Sequence, residues 1–354
     1  MGKHTIVALD DFWVSPPPDF DHEIIEYATT GPDQLVERMK PATIVTTAAM
    51  KVNRAGIEAA EDLQLIICTG TGSDHIDKVA ARERGVTVCN VPAQNTDSVA
   101  EHAFALYYAL RRHVVELHHV TAAGVEWSKG HVFRRLDPPP RVNSEETLVV
   151  VGYGAIGKAI ERMGRALGMQ VLIAERKDAQ QTREGRVAFT DAIRQGTILI
   201  VSAPLDASTR GMIAGPELAV MDPTARLINV GRGGVVDEHA LAQALKNRKI
   251  GGAATDVFET EPATAATSPL LEAGVPNLVL SPHIAWYSSK TKQGTLETIK
   301  VNLEAFVAGQ PINVVWKIPT LAATKLYFSS AATAHVSATL SRPSLAILAS
   351  PKCH

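Results

Sequence analysis

The sequence predicts an α/β protein built from two doubly wound parallel-sheet domains. Its 354 residues are long for one hydrophobic core and enough for two. Short apolar runs of strand character alternate with longer, more polar stretches of helical character, the pattern of parallel strands joined by crossover helices. One stretch, Thr147 to Arg176, sets a glycine turn between such a strand and such a helix.

That stretch organises the rest. An apolar run, Leu148-Val149-Val150-Val151, leads into Gly152-Tyr153-Gly154-Ala155-Ile156-Gly157, and a helical pattern follows. A second apolar run, Val171 to Ala174, ends at Glu175. The first glycine lets the chain turn, the second lets backbone approach a pyrophosphate, and the third lets helix pack on sheet. Phosphates then meet the free N–H groups of a helix N-terminus. Glu175 stands 18 residues after Gly157, at the spacing of an acid that accepts hydrogen bonds from an adenosine ribose. The expected cofactor is NAD, preferred because a carboxylate repels a 2′-phosphate. Arg176 and Lys177 follow directly, so some use of NADP is expected as well.

Composition narrows the class. A net charge of −2 and 45% hydrophobic residues describe an ordinary globular protein and argue against nucleic acid as a partner. No apolar run approaches the ~20 residues that span a bilayer. Met1 to Asp11 passes into a strand-like run without a signal-peptide core, and three scattered cysteines, Cys68, Cys89 and Cys353, form no disulfide framework. A cytoplasmic location is expected.

In chain order, Thr5–Leu9, Thr43–Thr47, Leu65–Cys68 and Val86–Val91 read as strands, with helices at Gln34–Met39 and Ala55–Asp62 and a proline-rich break at Pro16–Pro18. The first strand ends at Asp10-Asp11. The loop Thr69 to Asp77 follows a strand end, where backbone N–H groups can hold a carboxylate. Val99 to Leu110 is apolar on nearly all sides and is expected to be buried between domains, capped by Ser98 or Asp97 with Glu101 closing a capping box. His102 within it reads as a hydrogen-bonded packing residue. His113, His118, His119 and His131 lack metal-ligand spacing, and no metal is expected. Gly124 to Ser144, with Trp127 and Pro138-Pro139-Pro140, is expected to be an irregular arm.

Past Glu175 the alternation resumes with strands at Thr197–Val201, Ala225–Val230, Ile250–Val257 and Leu278–Leu280, a helix at Asp237–Leu245 and a last helix at Ser288–Ala308. Beyond Val315 the composition turns to Ala, Ser, Thr and Leu without a period, so residues 316–354 are expected to be an atypical or disordered tail. Arg232, Glu261 and His283 each fall just past a strand end of one parallel sheet, the edge that also holds the glycine turn. Arg232 offers a planar fork to a carboxylate and the neighbouring carbonyl oxygen. His283 can give a proton to that oxygen and take it back, and Glu261 would fix its tautomer and favour its charged form. Together with a nicotinamide cofactor, this set suits hydride transfer to a 2-keto acid.

Over residues 40 to 315 the sequence resembles the D-isomer-specific 2-hydroxyacid dehydrogenase family. The resemblance lies in Gly70 to Asp77, Asn95 to His102, Gly152 to Gly157, Asn229 to Gly233, Asp256 to Pro262 and Ser281 to Trp286. It implies a Rossmann cofactor domain, residues 101–286, inserted in a flavodoxin-like substrate domain, residues 1–100 and 287–315. It further implies that Arg232, Glu261 and His283 are catalytic, that Thr71, Gly72 and Ser73 bind the substrate carboxylate, and that Asp256 holds the nicotinamide carboxamide. Thr96, Ala203, Pro204, Val230 and Gly231 complete the expected cofactor site, and a homodimer is implied. Formate dehydrogenases are similar but carry Gln where Glu261 stands. Glycerate dehydrogenase/hydroxypyruvate reductase types are the best resemblance within the family, with glyoxylate and hydroxypyruvate as the first-choice substrates. A cofactor-sensing corepressor is the rival reading. The lead-in Arg141-Val142-Asn143-Ser144-Glu145-Glu146 departs from the family pattern.

Overall fold

The structure is a computed structural model that describes residues 3–10, 16–130, 132, 136 and 139–316. Asp11, His131, Pro138, Cys353 and the tail expected beyond Val315, apart from the backbone of Trp316, lie outside the described residues.

Two six-stranded sheets form the frame. The first comprises β1 (His4–Ala8), β2 (His22–Glu26), β3 (Ile44–Thr47), β4 (Leu65–Cys68) and β5 (Thr87–Cys89), joined by α1 (Leu35–Met39), α2 (Arg54–Ala59) and α3 (Lys78–Glu83). The chain then runs through α4 (Thr96–Arg111), α5 (Val114–Ala123) and α6 (Val125–Ser128). The second sheet comprises β6 (Thr147–Val151), β7 (Gln170–Ile173), β8 (Ile198–Val201), β9 (Arg226–Asn229), β10 (Gly252–Thr255) and β11 (Leu278–Leu280). Its connecting helices are α7 (Ala155–Ala166), α8 (Phe189–Gln195), α9 (Gly215–Val220) and α10 (Glu238–Lys246). Finally α11 (Ser289–Val307) leads to β12 (Val314–Trp316).

The strand orders are β12-β5-β4-β3-β1-β2 and β11-β10-β9-β8-β6-β7. All pairings are parallel except β12 against β5. Each central strand is covered on both faces, so β4 and β8 are buried at every position and read as unbroken apolar runs. In both sheets the first strand lies between the second and third. The connections therefore depart in opposite directions and open a crevice at the strand C-termini.

Several expectations are corrected. β2 was not legible because its sequence, His-Glu-Ile-Ile-Glu, is that of a half-exposed edge strand. β12 closes the opposite edge beyond the last helix. The body of α4 packs on the second sheet, burying Val99, Ala103, Phe104, Tyr107 and Leu110 with Leu148, Val150 and Ile160, and only its first turn, at Asp97 and Ser98, meets α11 at the junction between the domains. Its capping box does not form: Asn95 occupies the cap position, and the Ser98 hydroxyl donates to the Asn95 carbonyl at 3.0 Å. Within the stretch Gly124 to Ser144 expected to be irregular, Val125–Ser128 forms the short helix α6; it follows α5, which buries none of its residues.

The last helix, α11, returns to the first sheet. Ile299 and Leu303 pack with Ile6, Ile44, Leu65 and Ile67. Ser288 caps this helix by accepting the Thr291 N–H at 3.1 Å. The two chain crossings meet at Ser98, whose hydroxyl lies 3.2 Å from the Trp286 carbonyl and 3.1 Å from the Thr291 hydroxyl.

Candidate active site

The glycine turn joins β6 to α7 as expected. Gly152 has φ +91°, and a Cβ there would lie 2.6 Å from the Ala203 nitrogen. A Cβ on Gly157 would lie 2.2 Å from the Gly152 carbonyl oxygen. Both glycines are thus required by close backbone approach. Gly154 differs: a Cβ there would meet nothing within 4 Å. It is the N-cap of α7 and supplies no side-chain acceptor, so the first N–H groups of the helix face open space. That combination fits a dinucleotide pyrophosphate, which Gly154, Ala155 and Ile156 would hold. Tyr153 turns aside, its hydroxyl donating to Glu161 and its ring lying beneath Arg186 at 5.2 Å.

Other expected cofactor residues line the same strand ends. Ala203 abuts Gly152 from the end of β8, and the Pro204 carbonyl accepts the Thr209 hydroxyl at 2.7 Å. Val230 is buried, and Gly231 donates its N–H to Asn229 Oδ1 at 3.1 Å. Thr96 opens α4, its hydroxyl donating to the Ala93 carbonyl.

Glu175 lies at the end of β7, but its carboxylate is already engaged. Oε1 accepts the Arg176 N–H at 2.8 Å and an Arg183 guanidinium N–H. Oε2 accepts the Arg183 backbone N–H at 3.1 Å and Nε at 2.7 Å. The Arg183 hydrogen bonds hold the Glu175 carboxyl well below the usual range. The ribose expectation therefore meets a carboxylate with little acceptor capacity to spare. Arg176 is exposed, while Lys177 is committed to Glu217 at 2.8 Å and to the Met212 carbonyl at 3.0 Å. Arg183, in a loop without periodicity, carried no signal in the sequence.

Arg232, Glu261 and His283 follow β9, β10 and β11, three neighbouring strands. His283 Nδ1 lies 2.6 Å from Glu261 Oε2, so Nδ1 is the donor and Nε2 is left to exchange a proton. Glu261 Oε1 accepts the Phe258 N–H at 2.9 Å, which fixes the carboxylate. His283 adopts φ +52° and donates its N–H to the Asp256 carbonyl at 2.7 Å. Beneath it Asp256 is 1% exposed. Its Oδ1 accepts the Ser281 hydroxyl at 2.6 Å and the Ile284 N–H at 3.0 Å, and Oδ2 accepts the Ala285 N–H at 2.9 Å. Burial opposes its charge, yet hydrogen bonds from His102 and Ser281 and from backbone hold the carboxyl below its ordinary range. His102 lies 2.9 Å from the Ser281 hydroxyl, so it braces this loop as a packing residue.

Arg232 reaches across the cleft. Its Nη1 donates to the Gly231 carbonyl at 3.0 Å, and its Nε lies 3.4 Å from Asp74 Oδ1. A Cβ on Gly72 would lie 1.7 Å from Arg232 Nη2, so the Thr71–Ser73 loop touches the guanidinium directly. The Thr71 hydroxyl donates to the Val91 carbonyl at 3.1 Å and so is not itself a donor toward a substrate. Although burial opposes it, the Arg232 charge holds Asp74 below the ordinary carboxylate range. Neither Asp74 nor Ser281 was singled out from sequence, although both lie in the quoted motifs. Cys68 donates to the Gly72 carbonyl at 3.0 Å, and burial pushes its thiol up to about 11, so it supports the loop as a neutral group.

A family profile described as D-isomer specific 2-hydroxyacid dehydrogenase, NAD binding domain, matches residues 104–285. Glycerate dehydrogenase from Methylorubrum extorquens is 38% identical over 298 residues, spanning 84% of this chain and 93% of that protein. Hydroxypyruvate reductase from Blautia hydrogenotrophica is 30% identical over 325 residues, spanning 88% and 99%. Among solved structures, an NADPH-dependent glyoxylate/hydroxypyruvate reductase from Sinorhizobium meliloti in complex with citrate has a TM-score of 0.73 at 28% identity. That match covers 89% of this chain and 99% of the other.

Proposed function

We propose that this chain, which belongs to the D-isomer-specific 2-hydroxyacid dehydrogenase family, reduces a short 2-keto acid to its (R)-2-hydroxy acid, with glyoxylate and hydroxypyruvate as substrates. It is an oxidoreductase that uses NAD(P), and the named relatives favour turnover over the corepressor reading. The observation that carries the substrate class is the contact of Arg232 with the Gly72 loop on one side and the His283–Glu261 pair two strands away on the other. A carboxylate bridging the Arg232 fork and the loop N–H groups brings the adjacent carbonyl toward His283 Nε2.

Bound NAD(P)H supplies the hydride to C2 of the keto acid. Arg232 stabilises the charge that grows on the carbonyl oxygen, and His283 Nε2 delivers a proton to it. Glu261 holds the imidazole so that Nε2 faces that oxygen. The test is steady-state kinetics. His283→Ala should lower kcat by about 10²–10⁴. Arg232→Ala should raise KM and lower kcat together, because its fork serves both ground state and transition state. Wild-type rates in both variants would reject the mechanism. Pyruvate reduced as well as hydroxypyruvate would reject that substrate assignment alone.

The cofactor reading is NAD(H) preference with use of NADP(H). Arg183, clasped to Glu175, cancels the charge that would repel a 2′-phosphate, and release of this clasp frees Glu175 for the ribose hydroxyls. A homodimer is also proposed: Val114, Val115, Val125 and Trp127 expose apolar side chains on the α5–α6 arm, which a second copy would cover. Light scattering tests it. Among the described residues no helix is long and apolar enough to cross a membrane, which is compatible with a cytoplasmic site of action.

A further inference from the structure

The lead-in Arg141 to Glu146, left unassigned by the family pattern, forms one wall of a cavity at the edge of the second sheet opposite the catalytic edge. There the C-terminus of α4 meets the N-terminal ends of β6, β8 and β9. The cavity has a volume of about 170 Å³ and is lined by Tyr107, Tyr108, Arg111, Arg112, Arg141 and Asn143, among others. That is several times the ~30 Å³ share of one water.

The charges beside it do not balance. Glu146 is 2% exposed and Arg111 4% exposed, with Arg111 Nε 2.5 Å from Glu146 Oε1. Arg141 Nη1 lies 3.9 Å from Glu146 Oε2, while the Thr197 hydroxyl donates to that same oxygen. Arg226, opening β9, joins the cluster; burial and then the nearby Arg111 charge push it down to about 10. It stays charged at neutral pH, so three guanidinium groups surround the buried Glu146, the only other carboxylate near them among the described residues being Asp222, which lies near Arg141. Arg111 Nη2 and Arg226 Nε are buried and have no hydrogen-bond acceptor among the described residues. Leaving such donors unpaired is costly.

The uncharged groups add donors as well. Tyr107 donates its hydroxyl to Asn143 Oδ1 at 2.9 Å, and Asn143 Nδ2 donates to the Tyr108 oxygen at 2.7 Å. The Tyr108 hydroxyl hydrogen is therefore left over. Arg112 adds an exposed guanidinium at the rim, in no ion pair among the described residues. A pocket that offers N–H and O–H donors and surplus positive charge suits a ligand that only accepts.

We infer that this cavity binds an oxyanion, a phosphate or carboxylate group, at a site separate from the catalytic cleft. The group has two possible sources: a free anion, or an acidic side chain of a second copy, since the α5 arm begins two residues after Arg112.

The test uses the full-length protein saturated with NADH, so that the dinucleotide site is filled, and inorganic phosphate as the probe at constant ionic strength. Phosphate should raise the melting temperature saturably. The double variant Arg112→Ala/Arg141→Ala should weaken its apparent affinity by about ten-fold or more, the scale of one or two lost charge-assisted hydrogen bonds. Both side chains lie at the rim, so kcat should stay within about two-fold of wild type. Light scattering on the same samples separates the sources. An unchanged assembly assigns a free anion. Dissociation by phosphate, together with a weaker dimer in the double variant, assigns the partner's acid. Equal phosphate responses in wild type and variant would mean an adventitious ion and overturn the site. So would no response with unchanged assembly, which leaves the cavity to water alone.

Discussion

The two sheets repeat one strand order, yet they treat the crevice it creates in opposite ways. At the first, between β1 and β3, the protein fills the crevice itself. Asp10, 9% exposed, accepts the N–H of Ala48 at 2.8 Å on Oδ1, and those of Ala49 and Met50 at 2.5 and 2.6 Å on Oδ2. At the second, between β6 and β8, the same place holds Gly152 against Ala203, and the helix beyond begins with no acidic side chain and no side-chain cap. One crevice carries its own anion. The other is left open for a ligand's. Topology provides the place for an anion in both, and only the residues at the turn decide whether a cofactor can use it.

Substituting the open crevice should have the largest effect. Gly152→Ala would place a Cβ 2.6 Å from the Ala203 nitrogen at φ +91°. Strain of about 1–3 kcal/mol at such a position corresponds to roughly one to two orders of magnitude in NADH affinity. Gly70→Ala is the control in the first sheet: a Cβ there meets nothing within 4 Å, and the melting temperature should hardly move. Fluorescence titration with NADH checks the first variant and calorimetry the second. Equal loss in both would mean that the glycines merely stiffen the fold.

Emptying the filled crevice should have an intermediate effect. Asp10→Ala removes the acceptor of three N–H groups and should cost about 1–3 kcal/mol in denaturant unfolding. If the comparison is right, added acetate restores part of that loss by occupying the vacated place. Undiminished stability would show that water satisfies these groups as well as Asp10 does.

The smallest effect concerns the rim of the open crevice. Arg183→Ala leaves Glu175 without the guanidinium that neutralises it. NADPH affinity should then fall about ten-fold relative to NADH, the scale of one charge-assisted contact. An unchanged ratio of dissociation constants would remove Arg183 from cofactor choice.

What was legible in the sequence follows the same divide. Buried strands such as Leu65–Cys68 and Ile198–Val201 announce themselves as unbroken apolar runs, and the glycine turn is a local pattern whose meaning needs no distant partner. The placement of Arg232, Glu261 and His283 was legible because each follows a strand of one parallel sheet, so their falling along one sheet edge is implied by the alternation. β2 and β12 were not, because edge strands lack the covered faces that produce an apolar run. The Glu175–Arg183 clasp and the Asp10 bridge to Ala48–Met50 depend on loops brought together by the fold, and periodicity says nothing of them. The Ser98 cap failed for a related reason: the helix begins two residues earlier, at Thr96, so Ser98 lies inside its first turn and its hydroxyl donates back to the Asn95 carbonyl.

The contact of the Ser98 hydroxyl with the Trp286 carbonyl has a kinematic consequence. Two covalent crossings that ran between the sheets at separate places would resist swinging and sliding alike. Here they are tied side by side at one hydroxyl, and Gln94 adds a second tie to Thr298 at 3.2 Å. Bodies joined along one narrow seam retain a single easy motion, rotation about that seam. The Arg232–Asp74 contact at 3.4 Å bridges the two bodies away from the seam, where a small angle becomes a displacement. The arginine proposed to hold the substrate carboxylate is thereby also the point at which an opening of the cleft would be felt.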